Sequence, residues 1–292
     1  MSKRIISCLA LICAVFLIIP LVCGTLTAFA SGNDEDDAGP ESRDTEIAIF
    51  VDGILVGTGI KVESTTYVPL QMFCEVLDKR TEYVWDAESK TAVAEMEELT
   101  IVARLNTKYM TANDRTFFLP GGVKGADENV MVPVRELAKA FGVSVEWDAE
   151  YWTVSIKSEN INPIQCGESY YDEEDLVWLA RVINAESGNQ PFEGKIGVGN
   201  VVLNRVLSPA CPDTVEDVIF DSQHGVQFHT AQSQAIFAEP NEESVEAAKA
   251  CLDNYNTVGD SIYFVNPRIG LTSWFVQTRT FVRSIGEHDF YV

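Results

Sequence analysis

The chain has 292 residues, with 44 acidic against 21 basic side chains, a net charge of −23 and a mean hydropathy of +0.02. Such acidity excludes a phosphate-backbone binder, which needs clustered Lys and Arg, so no nucleic-acid partner is expected; the hydropathy excludes a multi-spanning membrane protein. A hydrophobic content of 46% supports sizeable cores, and the length suits two domains better than one.

Lys3 and Arg4 precede an uncharged apolar run from Ile5 to Phe29 that closes on Ala28-Phe29-Ala30, the three regions of a secretory signal. Residues 1–30 are read as a signal peptide cut after Ala30. Left uncleaved, residues 5–29 would be long enough to tether the chain to a membrane. Cys23 suits lipidation poorly, because Val22 before it is bulky. Cutting leaves Cys74, Cys166, Cys211 and Cys251. Either one bridge forms among the last three, or all four are unpaired core cysteines.

Residues 31–46 are polar and acidic without apolar periodicity, a disordered tether, and folded sequence begins near Ile47. From there to Lys157 short β-type runs alternate with turn signals, Asp52-Gly53 and Asn113-Asp114 marking hairpins. Tyr67-Val68-Pro69-Leu70 leads through an amphipathic stretch to a strand ending Trp85-Asp86. Met131-Val132-Pro133-Val134 repeats the pattern to Trp147-Asp148, with Gly142 as a helix stop. In each copy the proline suits the first helical turn, where its missing N–H is harmless. These residues resemble the copper amine oxidase N-terminal-like domain, a duplicated strand-helix-strand module, over 47–157. Copper itself is not expected, because all three histidines, His224, His229 and His288, lie outside the segment. The segment reads as a binding or positioning module, or as a plain spacer.

Residues 158–170 lose periodicity and form a linker to a second domain at 171–292. Asp172 is an N-cap candidate with acids in the turn after it. The apolar stripe Leu176, Leu179, Ala180 and Ile183 then continues in phase onto Glu186. An acid at the end of a buried stripe is partly desolvated, which favours its protonated form and makes it a general-acid candidate. A last-turn Glu can also twist out to solvent or cap its neighbour. Pro191 opens a second helix with the stripe Val198, Val201, Val202 and Val206, and Gly194, Gly197 and Gly199 allow close backbone approach. Glu193, in its first turn, is explained by the helix dipole.

The blocks Leu179–Glu186, Pro191–Val198, Val201–Val206, Pro212–Ile219, Gln227-Phe228, Tyr263–Pro267 and Ile285–Tyr291 resemble, in order, the SleB-type spore cortex-lytic cell-wall hydrolase family over 174–292. The resemblance implies an α+β protein whose duplicated module is followed by a lysozyme-like, mainly helical catalytic domain. It implies peptidoglycan glycan strands as substrate, cleaved between N-acetylmuramic acid and N-acetylglucosamine, with Glu186 as catalytic acid and no cofactor or metal. A muramidase using a second carboxylate, or a non-catalytic wall-binding or assembly protein, are the alternatives. Two features depart from the family pattern: Asn184 stands where an apolar or aromatic residue is expected, and the stretch 221–234 is unusually polar. Asn204, Arg205, Gln227, Tyr263, Asn266 and Trp274 are candidate sugar-binding residues, since amides and hydroxyls pair with sugar hydroxyls and aromatic faces cover sugar rings. A zinc hydrolase is disfavoured, because His224 and His229 are five apart and do not share a helix face.

Overall fold

Asp52 and Gly53 adopt positive φ and fold β1 (Thr45–Val51) back onto β2 (Ile54–Val62), so the first hairpin stands where its turn signal placed it. The computed structural model describes residues 45–223, 228–270 and 273–292, and no helix among them is long and apolar enough to cross a membrane. The signal segment and the tether up to residue 44 lie outside the described residues; Thr45 and Glu46 belong to β1 rather than to the tether.

The duplication is visible in the elements. β3 (Thr65–Pro69) leads into α1 (Leu70–Leu77), β4 (Glu82–Asp86) and β5 (Thr91–Glu95). Next come β6 (Thr100–Arg104), β7 (Tyr109–Ala112), β8 (Arg115–Phe118) and β9 (Lys124–Ala126). The second copy is β10 (Asn129–Pro133), α2 (Val134–Phe141), β11 (Ser144–Asp148) and β12 (Thr153–Lys157). Pro69 and Pro133 stand at the N-cap, one residue earlier than the first helical turn, each ending its strand at φ −60°. Gly142 closes α2 at φ +67°, where a Cβ would also lie 2.2 Å from the Asn162 carbonyl oxygen.

Seven strands form one sheet in the order β11-β12-β1-β2-β3-β10-β9, with β1 and β12 parallel; β4 to β8 form a five-stranded antiparallel meander. Asn113 and Asp114, both at positive φ, make the β7–β8 turn. Alternate residues of these strands, with the apolar faces of α1 and α2, bury one continuous core that includes Ile49, Phe73, Ile101, Leu137 and Phe141.

The stretch read as a linker is pinned rather than loose. It contains α3 (Gly167–Tyr170), and Gly167 donates its N–H to the Asn113 carbonyl at 2.8 Å, so close that a Cβ there would lie 2.7 Å from the Asp114 oxygen. The helical part follows with α4 (Glu173–Ser187), α5 (Phe192–Val206), α6 (Val215–Phe220) and α7 (Glu242–Leu252). It ends with β13 (Tyr263–Val265), α8 (Pro267–Gly270), α9 (Ser273–Thr278), β14 (Phe281–Ile285) and β15 (His288–Tyr291), the strands pairing β13-β15-β14. The result is a β-rich module followed by a mainly helical domain, the α+β class read from sequence.

The module and the helical domain share a boundary. Tyr109 and Phe118 of the module are buried against Phe192 of α5, with ring centroids 4.9 and 6.0 Å apart. Polar pairs rim this contact: Asp253 accepts from Arg115 Nε at 2.9 Å and from the Tyr171 hydroxyl, Lys249 meets Asp114 at 2.6 Å, and the Tyr255 hydroxyl donates to Glu136 at 2.9 Å. All four cysteines of the described residues are free, Cys74 and Cys251 buried and Cys166 exposed, so no bridge forms among the last three.

Candidate active site

Asp172 caps α4 by accepting from the N–H groups of Glu174 and Asp175, which fixes the start of the helix and hence its phase. Leu179, Ala180 and Ile183 are buried on the stripe and Glu186 stands half-buried at its end, in the last turn. The stripe therefore delivers a carboxylate to the edge of the core, where solvent and protein meet.

Two donors of one residue hold that carboxylate. Thr230 gives its hydroxyl to Glu186 Oε1 at 2.5 Å and its backbone N–H to the same oxygen at 3.3 Å. Among the described residues no hydrogen bond reaches Oε2. Thr230 belongs to a single turn of 3-10 helix at His229–Gln232, 44 residues along the chain, inside the polar stretch that departs from the family pattern. That polarity has a use, since it supplies the donor to the acid.

The β14–β15 hairpin closes the other side. Gln190, in the turn between α4 and α5, accepts from the Glu287 N–H at 2.9 Å through its Oε1 and faces Glu287 Oε2 at 3.4 Å through its Nε2. Gly286 is required at the hairpin tip: φ is +59°, and a Cβ would lie 2.4 Å from Gln190 Oε1. This docking places His288 in a seat of aromatic rings, 5.1 Å from Phe264 and 6.3 Å from Phe290. Burial pulls the imidazole below its ordinary value, against the opposing influence of Glu186 and Glu287, and Nδ1 is buried without a hydrogen-bond partner. Burial thus favours the neutral imidazole, while Glu186 and Glu287 favour the charged one.

The candidate sugar-binding residues divide. Asn204 spends its amide on the carbonyls of Gly259 and Ser261, at 2.7 and 2.9 Å, and so anchors a turn. Arg205 is 7% exposed, donates Nε to the Ile262 carbonyl at 2.8 Å and lies over the rings of Phe228 and Tyr263. Burial also pulls its guanidinium below the ordinary arginine range. Each therefore donates to backbone carbonyls, and Arg205 also lines the cavity beside Tyr263. Asn266 caps the turn of α8 by accepting from the Arg268 N–H at 3.0 Å, a local role as well. Tyr263 keeps an open side: its hydroxyl accepts from Arg279 at 3.2 Å, and it borders a cavity of about 450 Å³ that Asp221, Phe275 and Arg279 also line. Trp274 falls within α9, and Gln227 lies outside the described residues.

Asn184, the departure beside the acid, has a clear structural role. Its Oδ1 accepts from Asn241 N–H at 3.1 Å and from the Ser244 hydroxyl at 3.3 Å, fixing the start of α7 against α4. Glu193 pairs with Arg283 at 3.0 Å. Sequence reasoning misses Thr230 and His288, whose roles exist only through contacts between segments far apart in the chain.

Comparison with known proteins agrees with this layout. Residues 189–291 match the family described as Cell Wall Hydrolase, and residues 56–156 match the Copper amine oxidase N-terminal domain. A curated spore cortex-lytic enzyme of Oceanobacillus iheyensis is 32% identical over 120 residues, 41% of this chain and 42% of that protein. The hydrolase match opens just past Glu186, so the acid itself rests on the geometry of α4 and Thr230. This chain spans less than half the length of the curated relatives it matches. Two solved structures are also similar: the catalytic domain of the germination-specific lytic transglycosylase SleB from Bacillus anthracis, at 29% identity, 44% of this chain, 100% of that chain and a TM-score of 0.39, and that of the Bacillus cereus SleB protein, at 30% identity, 42%, 92% and 0.38.

Proposed function

We propose that this chain degrades peptidoglycan outside the cytoplasm, as a spore cortex-lytic transglycosylase that cleaves the bond between N-acetylmuramic acid and N-acetylglucosamine with Glu186 as its single catalytic group. The observation that carries the reading is the half-buried carboxyl at the end of the buried stripe, held through Oε1 by Thr230. The match of residues 189–291 to the cell wall hydrolase family and the similarity to cortex-lytic relatives support the substrate class.

The reaction asks one group to act twice. Protonated at Oε2, Glu186 gives its proton to the leaving glycosidic oxygen as the C1–O bond breaks; the carboxylate then takes the proton of the muramyl C6 hydroxyl while that oxygen closes on C1. One bond forms and one breaks, water is not consumed, and the product carries a 1,6-anhydro ring. Thr230 holds Oε1 in place throughout, so the other oxygen keeps its aim.

Digestion of purified spore cortex and vegetative sacculi, with products resolved by mass, tests the reading. Anhydro-muropeptides support it, with the faster substrate naming the target wall. Products carrying an added water and a reducing end overturn the transglycosylase assignment and turn attention to Glu287, the other carboxylate in the field of His288.

A further inference from the structure

The N-terminal module contains a cavity of about 360 Å³, lined by none of the residues around Glu186. Both halves of the module wall it together: Lys61 from β2 and Thr65 and Thr66 from β3, with Arg135, Glu136 and Trp147 from the second repeat. Val145 and Val154 add an apolar wall.

Lys61 Nζ stands 4.5 Å from the Trp152 ring centre and 5.2 Å from that of Trp147, two rings set edge to face at 6.0 Å. These faces hold the ammonium in place without neutralising it. Among the described residues neither Lys61 nor Arg135 forms an ion pair, whereas Lys139, Lys157, Lys195 and Lys249 all do. The one carboxylate in the wall, Glu136, is already engaged by Lys139 at 2.8 Å and by the Tyr255 hydroxyl at 2.9 Å. Two cations without carboxylate partners therefore face a partly apolar cavity, with threonine hydroxyls beside them.

That combination selects an anion with an apolar body. Lys61 lies over one face of each tryptophan, which leaves less aromatic surface in the wall for a sugar ring to stack on. We propose that this cavity binds the carboxylate-bearing stem peptide of peptidoglycan, with Lys61 and Arg135 receiving the carboxylates and Val145 and Val154 packing on the alanyl side chains. The inference rests on the peptidoglycan reading of the helical domain for the choice of wall polymer. The module then has a purpose, because holding the chain on the polymer by its peptides raises the local concentration of glycan bonds at Glu186. The bond from Tyr255 to Glu136 ties the cavity wall directly to the helical domain.

Isothermal titration of the purified protein with the tetrapeptide L-Ala-γ-D-Glu-meso-diaminopimelate-D-Ala, and separately with chitotetraose, tests the proposal. The parent and Glu186→Gln should bind the tetrapeptide equally. Lys61→Gln with Arg135→Gln should weaken it by ~10-fold or more, the scale of losing a charge-assisted contact, and Lys61→Arg should retain most of it. No tetrapeptide binding by the parent, equal binding by the double variant, or chitotetraose as the only ligand lost with Lys61 would each overturn it. Unchanged wall digestion by Glu186→Gln would sink the catalytic reading and leave the tetrapeptide result standing. A Glu186-dependent enzyme that ignores the tetrapeptide would do the reverse.

Discussion

Asp253 is where the two domains are most exposed to a single substitution. Its carboxylate is 7% exposed and takes Arg115 Nε at 2.9 Å, Arg115 Nη2 and the Tyr171 hydroxyl, while the guanidinium lies 3.5 Å above the Tyr170 ring centre. Asp253→Ala removes the acceptor of all three and strands a guanidinium that is 17% exposed. Breaking a buried pair from one side costs about 3–5 kcal/mol. A cavity of about 310 Å³ beside Arg115, Asp253 and Tyr255 lets water reach the orphaned cation, which favours the lower end, about 3 kcal/mol. At ~2–4 °C per kcal/mol for a chain of this size, thermal unfolding followed by circular dichroism should drop by ~6–12 °C. Arg115→Met and the double variant complete a cycle, with a coupling of ~1.5–3 kcal/mol expected for the charged contacts. A drop below ~2 °C, or additive single variants, would refute the claim that this pair locks the module to the helical domain.

Thr230→Val keeps the side-chain shape and deletes the hydroxyl on Glu186; kcat should fall by ~10–100-fold with the melting temperature nearly unchanged, and an unaltered kcat would show that Thr230 does not aim the carboxyl. His288 has a folded-state value below its ordinary 6.5, so the native state binds fewer protons than the unfolded chain just below that pH. Stability measured by guanidinium unfolding should be level above about pH 7 and decline as pH falls through 6.5, and His288→Gln should flatten that slope; a parent curve that is level or rises toward acid contradicts the assignment. Gly197→Ala would put a Cβ 2.8 Å from Phe290 Cζ and 2.9 Å from Val258 Cγ1. The overpacking costs ~1–3 kcal/mol against ~1 kcal/mol gained in helix propensity, so thermal unfolding should show net loss; a more stable variant would mean that α5 and β15 separate freely.

What can be read in advance is whatever is local or periodic. The N-cap at Asp172 and the spacing of Leu179, Ala180 and Ile183 fix the phase of one helix, and phase alone carries Glu186 to the core's edge. The turns at Asp52-Gly53 and Asn113-Asp114 need positive φ, which their residue types accept. The repeat around Pro69 and Pro133 survives as matched strand-helix-strand units. Residue type cannot tell how a polar side chain divides its donors between backbone and a ligand, so the backbone bonds of Asn204 and Arg205 are not legible in the sequence. Nor does any local pattern mark Thr230, a threonine in a short turn whose importance comes from the helix it meets. The anchoring of the linker is equally illegible, since its partner, the Asn113 carbonyl, sits in another hairpin.

Glu186→Gln tests the central claim most directly, because it keeps the side-chain size and a hydrogen-bond acceptor for Thr230 while removing the proton that the reaction transfers. Purified variant and parent should unfold at closely similar temperatures, and release of soluble fragments from peptidoglycan should fall by ~10³-fold or more in the variant, within the ~10²–10⁴-fold that a positioned general acid contributes. A folded Glu186→Gln protein that digests peptidoglycan at the parent's rate would contradict both the helix-phase argument and the assignment of this carboxyl as the catalytic acid.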